Sequence, residues 1–185
     1  MTMTSARLRA PQVRIDLATT ADIAGIVAVR VNAAEDLTER FGGGHWSGHA
    51  TERGVALDVR QGKVLVARRS SKVLATLKLA TKKPWAIDLS YFKSARRPWY
   101  LTNMAVDPVH QGKGLGKRCI LEAARLVAEW GGDALRLDAY DAEAGAGEFY
   151  LKCGFTEVGR ASYRANHRPV STTPTPVLRS LRGLR

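Results

Sequence analysis

The sequence predicts an α/β fold with a mixed sheet, and three observations favour this fold class. Six segments show the short apolar or alternating pattern of strands, and four others show helical periodicity or caps. Several of these helices lie between strands, which is how parallel neighbours are connected. With 185 residues, 45% of them hydrophobic, the chain is long enough for one domain with a substantial core.

The first half of the chain predicts a strand, two helices and a hairpin. Residues 19–22 offer a helix cap, and Ile23 and Ile26 begin a helical period. Glycines at 42–44 predict a loop, and the polar residues 69–72 are typical of a hairpin turn. The predicted elements are a strand at 13–17, a helix from 19 to about 34, a loop at 36–50, a helix with some strand character at 51–61, and strands at 63–68 and 73–79.

The second half contains the clearest helix of the sequence, at residues 114–130. Ile120 and Val127 lie on one face of it, and the pair of glycines at 131–132 ends it. The predicted elements of this half are an irregular basic segment at 81–98, a strand at 100–106, the helix at 114–130, a strand at 135–139, a short helix at 144–153 and a strand at 156–163.

The formal net charge of +12 raises the question of a nucleic-acid partner. Two terminal segments, residues 1–14 and 160–185, contain no acidic residue and hold most of the excess. Because basic tails are usually solvated segments, we do not expect a specific nucleic-acid site. Their arginines are Arg7, Arg9, Arg14, Arg160, Arg164, Arg168, Arg179, Arg182 and Arg185.

Cysteine usage and hydropathy indicate a cytoplasmic protein without a membrane partner. Cys119 and Cys153 are too few for a secreted disulfide framework, so we expect reduced thiols. Residues 1–11 lack the apolar region of a secretory signal. No apolar run approaches the roughly 20 residues that a membrane span needs.

The most informative segment is the glycine-rich turn between the strand at 100–106 and the helix at 114–130. Glycines let backbone N–H groups approach an anion, and the positive end of a helix dipole favours phosphate. A nucleotide-binding P-loop is excluded, because Gln111 and Arg118 stand where that motif needs glycine and a hydroxyl residue. The even spacing of Gly112, Gly114 and Gly116 also fails the dinucleotide pattern, so a phosphate loop of another kind or a plain flexible turn remains.

Two motifs resemble those of the GNAT superfamily of acyl-CoA-dependent N-acetyltransferases. Gln111-x-x-Gly114-x-Gly116 is similar to the pyrophosphate loop of that family, and Phe149-Tyr150 followed by Gly154-Phe155 is similar to its second signature. The residues at 138–147 also resemble one branch of the family. The resemblance implies the GNAT fold, with a twisted mixed sheet of about six or seven strands flanked by helices.

The resemblance further implies a site for acetyl-CoA, the acyl donor. Its pantetheine arm would lie where the strands at 100–106 and 135–139 diverge, and backbone amides would hold the pyrophosphate and polarise the thioester carbonyl. The implied cofactor-binding residues are Met104, Ala105, Val106, Gln111, Gly112, Lys113, Gly114, Leu115, Gly116, Lys117, Phe149 and Tyr150.

Tyr150 matches the tyrosine that protonates the departing CoA thiolate in this family. A tyrosine stays protonated at neutral pH and can therefore donate, although a core aromatic beside Phe149 is the alternative interpretation. The acceptor amine must lose a proton before it attacks, so a base or a water chain is needed. Asp138, Asp88 and Asn103 are candidate neighbours of the cleft, but the sequence identifies no base, and for each of the three an ordinary polar residue at a strand end is the favoured interpretation.

A loop of glycine, histidine and tryptophan at residues 42–50 is expected to reach over the acceptor site. His45 and His49 have too few further ligands nearby for zinc, so we expect no metal site. The acidic residues that flank this loop attract a cationic amine or form an ordinary solvated surface. They are Glu35, Asp36, Glu39 and Glu52.

Two features depart from the family pattern. Glu143 stands seven residues before the tyrosine, where many members have asparagine. The segment after His167 has prolines and arginines in place of the usual closing apolar strand, so we expect that strand to be displaced, supplied by a partner or replaced by a disordered segment. We therefore predict a flexible arm at 1–12, a single acetyltransferase domain at 13–170, and a basic tail at 171–185 that is dispensable for cofactor binding.

The predicted function is transfer of an acetyl group from acetyl-CoA to a primary amine of a small molecule or a peptide, by direct attack. A homodimer is possible. Two alternatives remain open from the sequence: a non-catalytic acyl-CoA-binding regulatory module, and an acetyltransferase acting on an RNA- or ribosome-associated amine.

Overall fold

The described part of the chain forms one mixed sheet of seven strands with four α-helices. The computed structural model describes residues 12–84, 87–140, 143–160 and 176–184. The strands are β1 (Arg14–Leu17), β2 (Lys63–Arg69), β3 (Lys72–Ala80), β4 (Pro98–Val106), β5 (Ala134–Tyr140), β6 (Thr156–Arg160) and β7 (Pro176–Arg182). The helices are α1 (Ile23–Phe41), α2 (Glu52–Gln61), α3 (Leu115–Glu129) and α4 (Gly147–Lys152).

The strands lie in the order β1-β2-β3-β4-β5-β7-β6. Only β4 and β5 run parallel among these neighbours, and α3 connects them as the crossover helix. All other pairs are antiparallel. The predicted mixed sheet with a parallel portion is confirmed, and so is the GNAT-type arrangement of about seven strands.

The prediction that residues 171–185 form no closing strand is wrong. Pro176–Arg182 forms β7, which pairs with β5 on one side and β6 on the other. Leu178 is fully buried, and Arg179 is 4% exposed. The Nη2 atom of Arg179 lies 3.9 Å from Oε2 of Glu157 on β6, and its guanidinium lies beside Gly147 of α4, so this arginine is buried rather than solvated. We therefore no longer expect residues 171–185 to form a tail that the domain can lose. Residues 1–11 and 161–175 lie outside the described residues.

Helix α1 is longer than predicted, since it ends at Phe41 rather than near Ala34. The Thr38 hydroxyl donates to the Ala34 carbonyl at 2.8 Å, which keeps the polar residue within the helix. Gly42, with φ of 76°, ends the helix. Because of these two additional turns, the C-terminal end of α1 reaches the cleft described in the next subsection.

The core lies on both faces of the sheet. On one face, α3 packs Ile120 and Val127 against Leu77 and Leu135. On the other face, α1 and α2 cover the first strands through a separate cluster. That cluster contains Ile26, Val29, Val55, Val64, Val66 and Val73. Because side chains alternate along a strand, β2 and β3 supply both clusters, and this part of the sheet lies between two layers of helices.

Candidate active site

The parallel strands β4 and β5 diverge shortly after they begin. They pair only at Pro98 with Ala134, Trp99 with Leu135, and Tyr100 with Arg136. Beyond Tyr100, the edge of β4 that faces β5 has no strand partner, so its backbone groups are available to a ligand. The predicted divergence of these two strands is confirmed.

Strand β4 contains a bulge inside this divergent region. Ala105 pairs with Thr76 of β3 and Thr102 pairs with Lys78, so β4 has one more residue than β3 between these pairs. Asn103 takes up the extra residue with φ of 53°, a left-handed conformation that asparagine tolerates better than most residues. The bulge changes which side chains face α3, so that both Leu101 and Met104 pack into the cluster beneath that helix.

The glycine-rich turn forms an open cradle at the start of α3. Gly112 and Gly114 have φ of 69° and 77°, and no other atom lies within 4 Å of the position that a Cβ would take at either. Gly114 is the N-cap of α3, so the first amides of the helix have no intrahelical partner. The cradle therefore presents backbone donors and the positive end of a helix dipole to an anion.

Gly116 is required for a different reason, which is close packing. A Cβ at this position would lie 3.1 Å from Cζ of Phe149 and 3.4 Å from Cε of Met104. The absence of a side chain lets the first turn of α3 approach both β4 and α4. This contact joins the two sequence motifs across one cleft.

That cleft is a cavity of about 540 Å³. Eleven of the twelve predicted cofactor-binding residues line it; Lys113 does not, because its ammonium donates to the Val109 carbonyl at 2.7 Å. Gln111 faces the cavity and also donates to the Val106 carbonyl at 3.0 Å, which ties the turn to the end of β4. The other lining residues are Ala33, Leu37, Arg40, Phe41, Glu143, Ala144, Gly145, Ala146, Lys152 and Cys153.

Tyr150 lies in the wall of this cavity and is 7% exposed. Its hydroxyl donates a weak hydrogen bond to Sδ of Met104 at 3.7 Å, and its ring packs edge-on against Phe149 and Phe155. Burial, followed by the negative charge of Asp138, raises the pKa of Tyr150. The residue is therefore a packed aromatic whose hydroxyl keeps its proton at the edge of the cleft.

Of the three residues considered for the base, Asp138 has the most suitable environment. Burial raises the pKa of its carboxyl group, and its charge raises the pKa of both Tyr140 and Tyr150. Asp138 is not in the cavity wall but on β5, beside the gap that faces β4. Asp88 is exposed and caps a short helix through Ser90, and Asn103 donates to Asp58, so neither has the position of a base.

The last turns of α1 supply a wall that the sequence did not indicate. Ala33, Leu37, Arg40 and Phe41 face the cavity. These four residues have helical spacing in the sequence, but residues 36–50 were predicted to form a loop, so the four were not placed on one helix face. One of the acidic residues that were predicted to flank the acceptor site, Asp36, forms an ion pair with Arg40 at 2.7 Å, so Arg40 offsets its charge.

The described residues contain no group of three or more His, Cys, Asp or Glu side chains that could hold a metal ion. Among them there is also no helix long and apolar enough to cross a membrane. Glu143, the departure from the family pattern, lies in the cavity wall. It is the only acidic side chain among the described residues of that wall.

Residues 31–155 match the acetyltransferase (GNAT) family, so the chain belongs to this family of acyltransferases. No curated protein matches it in sequence. Many solved structures share its fold. Three of them are the ribosomal-protein-S18-alanine N-acetyltransferase of Escherichia coli (TM-score 0.64, 20% identity, 92% of this chain and 94% of that chain), the ribosomal-protein-alanine N-acetyltransferase of Brucella melitensis (0.66, 18%, 91% and 99%), and yncA of Salmonella typhimurium with its cofactor acetyl-CoA (0.65, 18%, 92% and 93%).

Proposed function

We propose that the protein transfers an acetyl group from acetyl-CoA to a primary amine, with Tyr150 as the general acid. The observation that supports this most directly is the single cleft in which the cradle of α3, the free edge of β4 and the Tyr150 hydroxyl meet. Acetyl-CoA supplies an acetyl group already activated as a thioester. The residues present fit it: open glycines and Lys117 suit a pyrophosphate, and the unpaired edge of β4 suits the amides of a pantetheine arm.

The proton that the leaving thiolate needs comes from Tyr150 in this proposal. A raised pKa keeps the phenol protonated over the working range of pH. The divergent part of β4 offers amides that can stabilise negative charge on the thioester oxygen. Packing holds the Tyr150 ring in place, because Met104 and Phe149 both contact this residue.

The acceptor amine loses its proton to Asp138, directly or through water. A raised pKa makes this carboxylate a stronger base than an exposed one, and β5 holds it beside the gap. An α-amine with pKa near 7.8 costs only about 1 kcal/mol to deprotonate at pH 7, whereas a lysine amine costs about 4.6 kcal/mol. We therefore propose an α-amine, such as that of a peptide or protein N-terminus, as the acceptor.

Two of the structural neighbours are named for an alanine of a ribosomal protein as acceptor, which favours the ribosome-associated version of this reaction. Their low identity to this chain leaves the acceptor to experiment. A panel of small amines, peptides with a free N-terminus and peptides with only a lysine amine distinguishes the classes. Binding of acetyl-CoA without turnover of any of them would instead indicate the regulatory binding module.

Replacing Gly114 with aspartate is expected to weaken acetyl-CoA binding at least a hundredfold. Any side chain is strained at φ of 77°, and a carboxylate there would repel the pyrophosphate. Calorimetric titration measures the loss. Gly183→Asp is the control, because Gly183 has a similar φ of 70° in open space outside the cavity wall. Equal affinity in the parent and in Gly114→Asp would contradict the cofactor site.

Replacing Asp138 with asparagine is expected to lower kcat/KM about a hundredfold at neutral pH, the low end of general-base effects. The parent reaction should rise with pH through two ionisations, those of the acceptor amine and of Asp138, because a base must be unprotonated to act. Asp138→Asn should keep only the ionisation of the amine. If the pH–rate profiles of the parent and of Asp138→Asn have the same shape, Asp138 is not the general base.

A further inference from the structure

The bulge of β4 is tied to the rest of the fold by one carboxylate. Asp58 of α2 accepts hydrogen bonds from Arg30 at 2.9 Å, from Lys78 at 2.6 Å and from the side chain of Asn103 at 3.1 Å. These donors belong to α1, β3 and β4. A single side chain therefore connects four elements at the point where β4 departs from regular pairing.

The charges around Asp58 keep this cluster ionised. Burial raises the pKa of Asp58, but hydrogen bonds from Lys78 and Arg30 outweigh it, and the net pKa is lowered. Arg30 and Lys78 are mostly buried at the carboxylate, with side chains 13% and 21% exposed. Charge-assisted hydrogen bonds of this kind are short and directional, so they fix the Asp58 oxygens that Asn103 uses.

The conformation of Asn103 needs such support. It has one of only two positive φ angles at non-glycine positions among the described residues; the other is Ser70, in the turn between β2 and β3. A turn commonly accommodates such a residue, whereas the interior of a strand does not. Backbone of this kind persists where the surroundings hold it in place.

The bulge has a direct consequence for the cleft. Without the extra residue, the side chain after Leu101 to face α3 would be residue 103, and Met104 would face the opposite side of the sheet. With it, Met104 lies against the Tyr150 hydroxyl and beneath the first turn of α3. The same change sets which amides of β4 face the gap.

We propose that Asp58 and Asn103 are positioning residues, and that the hydrogen bond between them holds the β4 bulge that turns Met104 and the free amides of β4 towards the cleft. Neither residue lines the cavity wall, so they act through β4. The inference rests on the acetyl-CoA cleft of the proposed function, but the geometry it claims can be measured without any turnover.

Methyl NMR with ¹³C-methyl-methionine measures this geometry. The chain has three methionines, of which only Met104 lies in the described residues, and Met104→Leu assigns its signal. Packing against Phe149 and Tyr150 should displace this signal from those of exposed methionines. We expect Asn103→Ala and Asp58→Asn each to move the Met104 signal back towards the exposed range, and each to weaken acetyl-CoA binding about tenfold or more, as misplacement of binding groups does.

Ser70→Ala is the matched control, because it places alanine at the other positive φ, 55°, away from the cleft. It should change neither the Met104 signal nor the affinity for acetyl-CoA. If Asn103→Ala does not fold, Asn103→Gly takes its place, since glycine accepts the backbone conformation and cannot donate to Asp58.

A Met104 signal that stays in place in the Asn103 and Asp58 variants would overturn the proposal. Movement in the Asn103 variant alone would show that Asp58 does not hold the bulge, which also overturns it. If the parent does not bind acetyl-CoA, the proposed function fails, and the Met104 signal still decides whether the carboxylate positions β4.

Discussion

Tyr150→Phe is expected to reduce kcat about a hundredfold while leaving the affinity for acetyl-CoA almost unchanged. The variant keeps the ring and its edge-on contacts with Phe149 and Phe155, and it loses only the hydroxyl. General-acid catalysis is typically worth about 10² to 10⁴ in rate, and a thiolate leaves without full protonation, so the low end applies. Steady-state turnover beside a titration of acetyl-CoA measures both quantities on the same two proteins.

Tyr91→Phe provides the comparison, because it removes a phenol hydroxyl from a tyrosine that is 42% exposed and outside the cavity wall. Its kcat should equal that of the parent. The raised pKa of Tyr150 adds a second expectation: ionisation of Tyr150 should not limit kcat below about pH 10, the usual pKa of a tyrosine. An unchanged kcat in Tyr150→Phe, with chemistry shown to be rate-limiting, would exclude Tyr150 as the acid.

Leu178→Ala is expected to lower the free energy of unfolding by about 2–5 kcal/mol, the usual cost of removing a fully buried leucine. Leu178 lies in β7 and packs with Ile87, Phe92 and Tyr100. This loss is a large part of the total stability of an ordinary domain, about 5–15 kcal/mol. Denaturant unfolding monitored by circular dichroism measures it.

Leu121→Ala is the matched variant, since Leu121 is 55% exposed on α3 and should change stability by no more than about 0.5 kcal/mol. A chain truncated before Pro176 should not fold at all, because it leaves β5 and β6 without the strand between them. If the truncated chain folds and keeps its affinity for acetyl-CoA, the sequence-based prediction of a dispensable C-terminal tail is right after all.

The parts of the site that the sequence predicted depend on short-range chemistry. The glycine turn and the Phe149-Tyr150 pair are local motifs, and the glycines are needed where the sequence places them, at two positive φ angles and one close contact. The strands and helices between residues 51 and 160 follow from periodicity over a few residues. These elements were predictable because the interactions that determine them are made between residues close together in the sequence.

The parts that the sequence missed depend on distant partners. In the sequence the arginines of β7 resemble a solvated tail, but Pro176–Arg182 pairs with β5 and β6, and Arg179 is buried beside Glu157 of β6 and Gly147 of α4. Nothing in the residues around Asn103 marks a bulge, since its support comes from Asp58, 45 residues earlier. The wall formed by α1 likewise depends on how far that helix reaches along the sheet.

The position of β7 between β5 and β6 has a consequence for synthesis on the ribosome. β6 leaves the ribosome before β7, and the only strand it pairs with in the described sheet is β7. During that interval the unpaired edges of β5 and β6 are exposed to other chains, which is the usual origin of aggregation in nascent sheets. Slower synthesis of Pro176–Arg182 would lengthen the interval, so the yield of folded protein should depend on the rate at which β7 is made.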